Sequence, residues 1–231
     1  MMKVYSDAAE ALQSVKSNQT IMVGGFGLVG APLTLIDELT RKEIDGLTVI
    51  SNNLGEKGKG LGILVNQKKI KKGIGSYFTS NRDVGDAYQK GELELELLPQ
   101  GTLAESMRAG GAGLGGYYTK TGVGTDLAKG KEERVIDGIT YVFEPAIKAD
   151  VALIRAWKAD TLGNLVYYKT AQNFNPLMAT AADVVIAEVD EIVEAGELSP
   201  EEIVTPHLFV DGIIRAEKIL TKDGVVSNEQ K

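Results

Sequence analysis

The sequence contains no cysteine and a single histidine, His207. Without cysteine there is no disulfide framework, no thiolate nucleophile and no Cys-ligated zinc or iron–sulfur site. With one histidine, neither an HExxH motif nor a multi-histidine metal site can be written, and a Ser/His/Asp triad would have to use His207. That residue sits in TPHLFVD and no GxSxG elbow exists to pair with it, so a structural or surface role is expected. Basic charge is also short. Against 32 Asp plus Glu stand 25 Lys plus Arg, a net charge of -7 with a pI of about 4.9, which argues against nucleic acid as a partner. No apolar run approaches the roughly 18 residues needed to span a bilayer. MMKVYSDAAEALQSV lacks the apolar stretch of a secretory signal. The expectation is a cytoplasmic protein with no membrane partner and no metal.

What is present is an ordinary soluble mix, 43% hydrophobic and 25% charged, over 231 residues. That length fits one large α/β domain spanning residues 1–231, with a tail expected to fray from about 221 to 231. The unusual number is 27 glycines, about 12% of the chain against an average near 7%.

Periodicity places the elements. Ser6 to Lys16 reads as a helix capped by Ser6, with Ala8, Ala9, Ala11, Leu12 and Val15 buried. Thr20 to Val23 and Leu47 to Ile50 are short apolar runs of the kind buried on both faces of a parallel sheet. After the first comes a glycine loop and then a helix with Pro32 in its first turn, carrying Leu33, Ile36 and Leu39. Helical character is expected around Ile63–Val65 and over Asp83 to Lys90, with a strand-like end to Ile70–Phe78. Leu93, Leu95 and Leu97 alternate with Glu92, Glu94 and Glu96, predicting a strand with one buried and one charged face. Thr102 to Arg108 begins another helix. Strands alternating with helices imply an open, mainly parallel sheet with helices on both faces. Later, Asp137-Gly138 predicts a hairpin between Val135-Ile136 and Ile139–Phe143, and the KADTLGN turn a second one between Asp150–Trp157 and Leu165–Lys169. Pro176–Ala182 reads as a short helix and Val184–Val189 as a buried strand.

In such a sheet, ligands bind beyond the carboxyl ends of the strands. Three exits share one chemical character: GGFGLVG (Gly24, Gly25, Phe26, Gly27, Leu28, Val29, Gly30), Ser51-Asn52-Asn53, and the turn holding Gln100. They offer bare backbone donors and carboxamides, with no ionisable group, a surface suited to hold an anionic oxygen or a carbonyl rather than to move protons. Gly25, Gly27 and Gly30 also spell GxGxxG, but a dinucleotide site needs an acidic residue closing the second strand. That position holds Ser51-Asn52-Asn53, and Asp45 precedes the strand. An NAD(P)-binding oxidoreductase subunit stays open as one reading of this loop. Glu94 and Glu96 read as a solvated face, Lys57 and Lys59 as a surface loop. Trp157 and KTAQNFNP could be core, interface or acid pocket.

Asn18 to Pro32 (NQTIMVGGFGLVGAP) resembles the first signature of the family I CoA-transferases, with Ser17 at a position where that pattern usually has Asp or Asn. The likeness continues in order through SNN, PQGTLAESMRAGGAG, TKTGVGT, the GKE of KGKEE, ALIRAWKADTLGN, NFNPLMATAA and AEVDEIVEAGEL, about residues 3 to 215. It is to the α subunit of the 3-oxoacid and acetate/butyrate–acetoacetate enzymes. The resemblance implies ping-pong exchange of CoA between carboxylic acids through a glutamyl anhydride and a glutamyl-CoA thioester. The glutamate then belongs to a β subunit in a SENG-type motif. No Ser-Glu-Asn-Gly occurs here; Ser199-Pro200-Glu201 and Ala195-Gly196-Glu197 are nearest. It further implies an α2β2 assembly, acyl-CoA and short-chain carboxylates as substrates, and no permanently bound cofactor. Gly24 to Gly30 becomes a CoA-binding stretch, and Asn52, Asn53 and Gln100 lie near the reacting carboxylate. Gln172 and His207 depart from the frequent Arg and Gly of relatives. With CoA as the implied substrate, Lys57 and Lys59 become a contact for its phosphates if they are more than a surface loop; the alternatives to a transferase subunit are an NAD(P)-binding oxidoreductase subunit, or a non-catalytic acyl-CoA or acid-binding protein.

Overall fold

The computed structural model describes residues 3–221 and 224–227. Along the first half β1 (Lys3–Val4), α1 (Ala8–Ala11), β2 (Thr20–Val23), α2 (Leu33–Arg41), β3 (Leu47–Ile50), α3 (Leu61–Asn66), β4 (Ile70–Gly75), α4 (Arg82–Gln89), β5 (Glu94–Leu97) and α5 (Gln100–Gly111) alternate. A small antiparallel unit follows, β6 (Gly116–Thr119), β7 (Glu133–Ile136) and β8 (Ile139–Pro145), with β8 in the middle. The chain then returns to the main sheet through β9 (Ala149–Asp160), β10 (Leu165–Val166), α6 (Asn175–Thr180), β11 (Ala182–Val193) and β12 (Gly212–Arg215), and ends its described part in the hairpin β13 (Lys218–Thr221) and β14 (Gly224–Ser227).

The main sheet runs β1-β12-β11-β9-β2-β3-β4-β5 with every neighbour parallel, and β10 folds back antiparallel on β9. From β2 the chain steps outward through β3, β4 and β5; from β9 it steps the other way through β11 and β12. The reversal falls between β2 and β9, and the glycine loop leaves β2 there. Strand alternation sends Ile21 and Val23 to one face, packed with Leu35 and Leu39 of α2 and Leu64 of α3. Met22 goes to the other, with Leu103 and Met107 of α5 and Met178 of α6. Two cores sandwich the sheet, so its central strands are apolar on both sides.

Both short strands fall where the apolar runs place them, and the Asp137-Gly138 hairpin forms with φ of 51° and 76° at its two turn residues. Elsewhere local contacts alter the reading. The first helix is a single turn: Asp7, not Ser6, caps it by accepting from Glu10 N at 2.8 Å, after which the bonds tighten to i→i−3 and the chain opens out with Ala9 exposed. The strand in Ile70–Phe78 occupies its start rather than its end, and α5 begins at Gln100 rather than Thr102. β5 is the outermost strand, so its leucine face is covered at Leu93 (4% exposed) and open at Leu97 (50%). Gly224–Ser227, inside the stretch expected to fray, pairs with β13. The rest of that stretch beyond Ser227, with residues 222 and 223, lies outside the described residues.

Candidate active site

The glycine loop is a tight hairpin standing on the end of β2. Gly24 N still donates to Leu153 O of β9 at 2.9 Å; Phe26 and Val29 then exchange two backbone hydrogen bonds, 2.9 and 3.2 Å. Gly25 makes the turn into this hairpin at φ 125°, a conformation closed to residues with a Cβ. Leu28 tucks inward, while Phe26 (50% exposed) and Val29 (41%) present apolar surface at the strand exits. The hairpin is held from behind by Asn173 and Asn175 of the NFNP segment, which the sequence left undecided. Nothing local in the sequence signals that contact, because the partners lie 148 residues apart.

Beyond the loop, the start of α2 is already occupied. Glu188 of β11, fully buried, accepts from Thr34 N (2.9 Å), Leu35 N (3.0 Å) and the Thr34 hydroxyl (3.1 Å), and pairs with Arg155 of β9. Arg155 is held in turn by Asp190 at 2.5 Å. Burial pushes the Glu188 carboxyl up to about 7, against the pull of Arg155 and of the α2 amides. A dinucleotide fold places the pyrophosphate on the free amides of this helix. Here a carboxylate of the chain itself sits on them, so the GxGxxG pattern does not make a nucleotide-phosphate cradle.

The carboxamides separate into two kinds. Asn52, buried at the end of β3, donates from Nδ2 to Ser76 Oγ after β4 (3.0 Å) and, at 3.5 Å, to Gln100 Oε1 at the start of α5. Three neighbouring strand exits therefore converge on one cluster with no ionisable group in it. With Oε1 turned toward Asn52, Gln100 presents its NH2 outward from an exposed position, and that group has no partner among the described residues. Asn53 does not join the cluster: its Oδ1 accepts from Gly55 N at 3.0 Å, closing a local turn.

None of the remaining candidates makes a hydrogen bond to this cluster among the described residues. His207 is exposed, its backbone N–H donating to Asn164 Oδ1 at 2.9 Å. Glu94 is exposed and Glu96 pairs with Lys72 at 2.6 Å, a solvated face as expected. Lys59 lies 3.6 Å from Glu56 across a second tight glycine hairpin, residues 55–60, both side chains half exposed. Trp157 packs on Tyr168 with ring centroids 5.3 Å apart. Together with Val29, Arg155, Asp190 and Leu220 these rings line a cleft of about 390 Å³ behind the glycine hairpin.

Residues 5–216 match the family model described as Coenzyme A transferase. The chain belongs to the coenzyme A transferase family. It is 53% identical over 218 residues to the A subunit of the succinyl-CoA:3-ketoacid coenzyme A transferase of Helicobacter pylori strain J99, covering 94% of each chain. This makes it a family I CoA-transferase of the α-subunit type, as the motif series implies. Among solved structures, the fold superposes on an acyl-CoA transferase from Escherichia coli O157:H7 in thioester complex with CoA, with TM-score 0.80 and 21% identity over 93% of this chain. The chain spans about half of that protein, 47% of its length. It also superposes on glutaconate coenzyme A-transferase from Acidaminococcus fermentans, with TM-score 0.78 and 21% identity over 92% of this chain and 75% of the other. The name of the Helicobacter relative is that of one subunit of an enzyme, which implies a partner subunit. No helix among the described residues is long and apolar enough to cross a membrane.

Proposed function

We propose that this chain is the non-nucleophilic subunit of a CoA-transferase that moves CoA between an acyl-CoA and a short-chain carboxylic or 3-oxo acid. The class includes acetoacetate with acetate, butyrate or succinate, and the name of the 53% identical relative favours succinyl-CoA with a 3-oxo acid. One observation carries the reading: at the strand exits, amide donors converge around Asn52, Ser76 and Gln100 with an open Gln100 NH2 and no carboxylate among them. Such a surface stabilises a developing oxyanion and attacks nothing.

The nucleophile is a glutamate of a β subunit. Its carboxylate oxygen attacks the thioester carbon, the C–S bond breaks, and CoA leaves as the thiolate, giving an acyl-glutamyl anhydride. The thiolate then attacks the glutamyl carbon of that anhydride, releasing the first acid and leaving CoA as an enzyme thioester. The second acid runs both steps in reverse, and the glutamate is restored. In each attack negative charge grows on one carbonyl oxygen, where a fixed donor is worth roughly 10²–10³ in rate. Gln100 NH2 is assigned that place, with Asn52 holding its orientation. The hairpin Gly24–Gly30 covers the thioester, and the cleft beside it, of about 390 Å³ with Trp157 and Tyr168 in its wall, has room for an acyl group and the adjoining pantetheine. The same reading carries one α-subunit domain over the chain, an α2β2 assembly and a cytoplasmic enzyme with no permanently bound cofactor.

The test is to assay the chain alone and with its β subunit, using succinyl-CoA and labelled acetoacetate, and to trap the acyl-enzyme during turnover. We expect transfer only from the pair, with acyl label on the β polypeptide. Transfer by the chain alone, or label recovered on it, overturns the proposal.

A further inference from the structure

Between the 3₁₀ turn Lys169–Gln172 and α6 the backbone passes through Asn173 at φ 24° and ψ −120°, a region that residues with a Cβ avoid. Such outliers persist where the surroundings force them and where something is gained by the direction they give a side chain. Here the gain is visible. Asn173 Oδ1 accepts from Gly25 N at 3.2 Å, and Asn173 Nδ2 donates to Val29 O at 3.0 Å. One carboxamide thus ties the incoming limb of the glycine hairpin to its outgoing limb. The same side chain is pinned by its own segment, through Phe174 N (2.7 Å) and Thr170 O (3.2 Å). Two residues on, buried Asn175 donates to Gly30 O (3.0 Å) and accepts from Arg155 N of β9 (2.9 Å), which refers the clamp to the central sheet.

We propose that Asn173 is a positioning residue for CoA transfer: its strained backbone aims the carboxamide between the two limbs of the glycine hairpin and so fixes where that hairpin stands over the strand exits. The inference rests on the reading above, in which the hairpin covers the reacting thioester. A misplacement of about 1 Å at such a distance from the chemistry is enough to lose on the order of 10²-fold in rate.

Asn173→Gly separates clamp from turn. Glycine takes this φ with less strain than a residue with a Cβ, so the turn survives and the relief of strain offsets part of what the lost hydrogen bonds cost in melting temperature. The carboxamide, however, is gone. In the assembled enzyme we expect kcat to fall roughly 10- to 100-fold with KM changed little. In the purified chain, amide hydrogen exchange in the 24–31 segment should quicken at least about tenfold while the strands keep their protection. Asn173→Asp should be comparably impaired, since a carboxylate keeps the bond from Gly25 N but faces the carbonyls of Val29 and Thr170. An Asn173→Gly enzyme with kcat within twofold of the parent, or a chain with unchanged exchange in the hairpin, overturns the proposal. If the unmodified pair transfers no CoA, it is the functional reading that fails, and the exchange measurement still decides the clamp.

Discussion

The glycines of the hairpin differ in what they are for. At Gly24 a Cβ would overlap the Asn175 carboxamide oxygen, and at Gly30 it would meet Ala171 O and lie 2.7 Å from Asn173 Nδ2, so these positions are bare because another residue occupies the space. At Gly27, φ is 61° and nothing lies within 4 Å, so only the backbone conformation is demanded. Gly24→Ala should therefore destabilise the chain by about 1–3 kcal/mol through overpacking and cut kcat/KM at least tenfold. Gly27→Asn, tolerant of that φ, should keep activity within a few-fold. Thermal melts and kcat/KM of the two variants check the ranking. Glu188 gives a second prediction. Its carboxyl binds a proton more readily in the fold, at about 7, than at the ordinary 4.5 of the unfolded chain. Its share of stability is thus full below about 4.5 and lost as pH rises through about 7. Between pH 5.5 and pH 8 the parent should lose more stability than Glu188→Gln does, read as urea midpoints at the two pH values. At this scale the placing of Asn52 and Gln100 at strand exits was legible in the sequence, because strand exits and carboxamides are local features. Asn53 was legible only as a candidate, since Asx turn and ligand donor share one residue type. Asn173 and Glu188 were not, because their partners are distant in sequence.

α2 shows what holds an element in place. Nine residues is short for a helix to be stable alone, and its propensity decides little. Its first amides are taken by Glu188, and at its other end Lys69 Nζ donates to Leu39 O (3.0 Å), Thr40 O (2.8 Å) and Lys42 O (2.6 Å). A carboxylate at the N-terminus and an ammonium at the C-terminus both match the helix dipole. Lys69→Met should leave these carbonyls without their donor, lowering stability by about 1–3 kcal/mol in urea denaturation while α2 keeps its packed face. Central strands and the Asp137-Gly138 hairpin were readable from short patterns, because their signals are complete within a few residues. The length and cap of the first helix and the open end of the edge strand's leucine face were not, since capping by Asp7 and the one-sided neighbourhood of β5 depend on where the chain goes next.

On the scale of the whole molecule, the parallel order was legible as strand–helix alternation, but the position of β9 beside β2 was not, because no local pattern says which of several apolar strands fills the gap. That neighbour matters most: β9 supplies Arg155, the bond to Gly24 and the wall of the cleft. The proposed division of labour between two polypeptides also belongs to this scale. Titrating the β subunit into a fixed amount of this chain should raise transfer linearly until the two are equimolar and then level off.

The same adjacency sets a timetable for synthesis. Ile21 of β2 pairs with Val151 of β9, and Gly25 waits for Asn173. At about 5–20 residues per second a ribosome needs roughly seven to thirty seconds to travel that distance. For that interval the nascent hairpin is an apolar tip with no brace, and β2 an open edge beside a half-built sheet. A chaperone that shields the emerging first hundred-odd residues should raise the soluble yield of this chain more than one added after release.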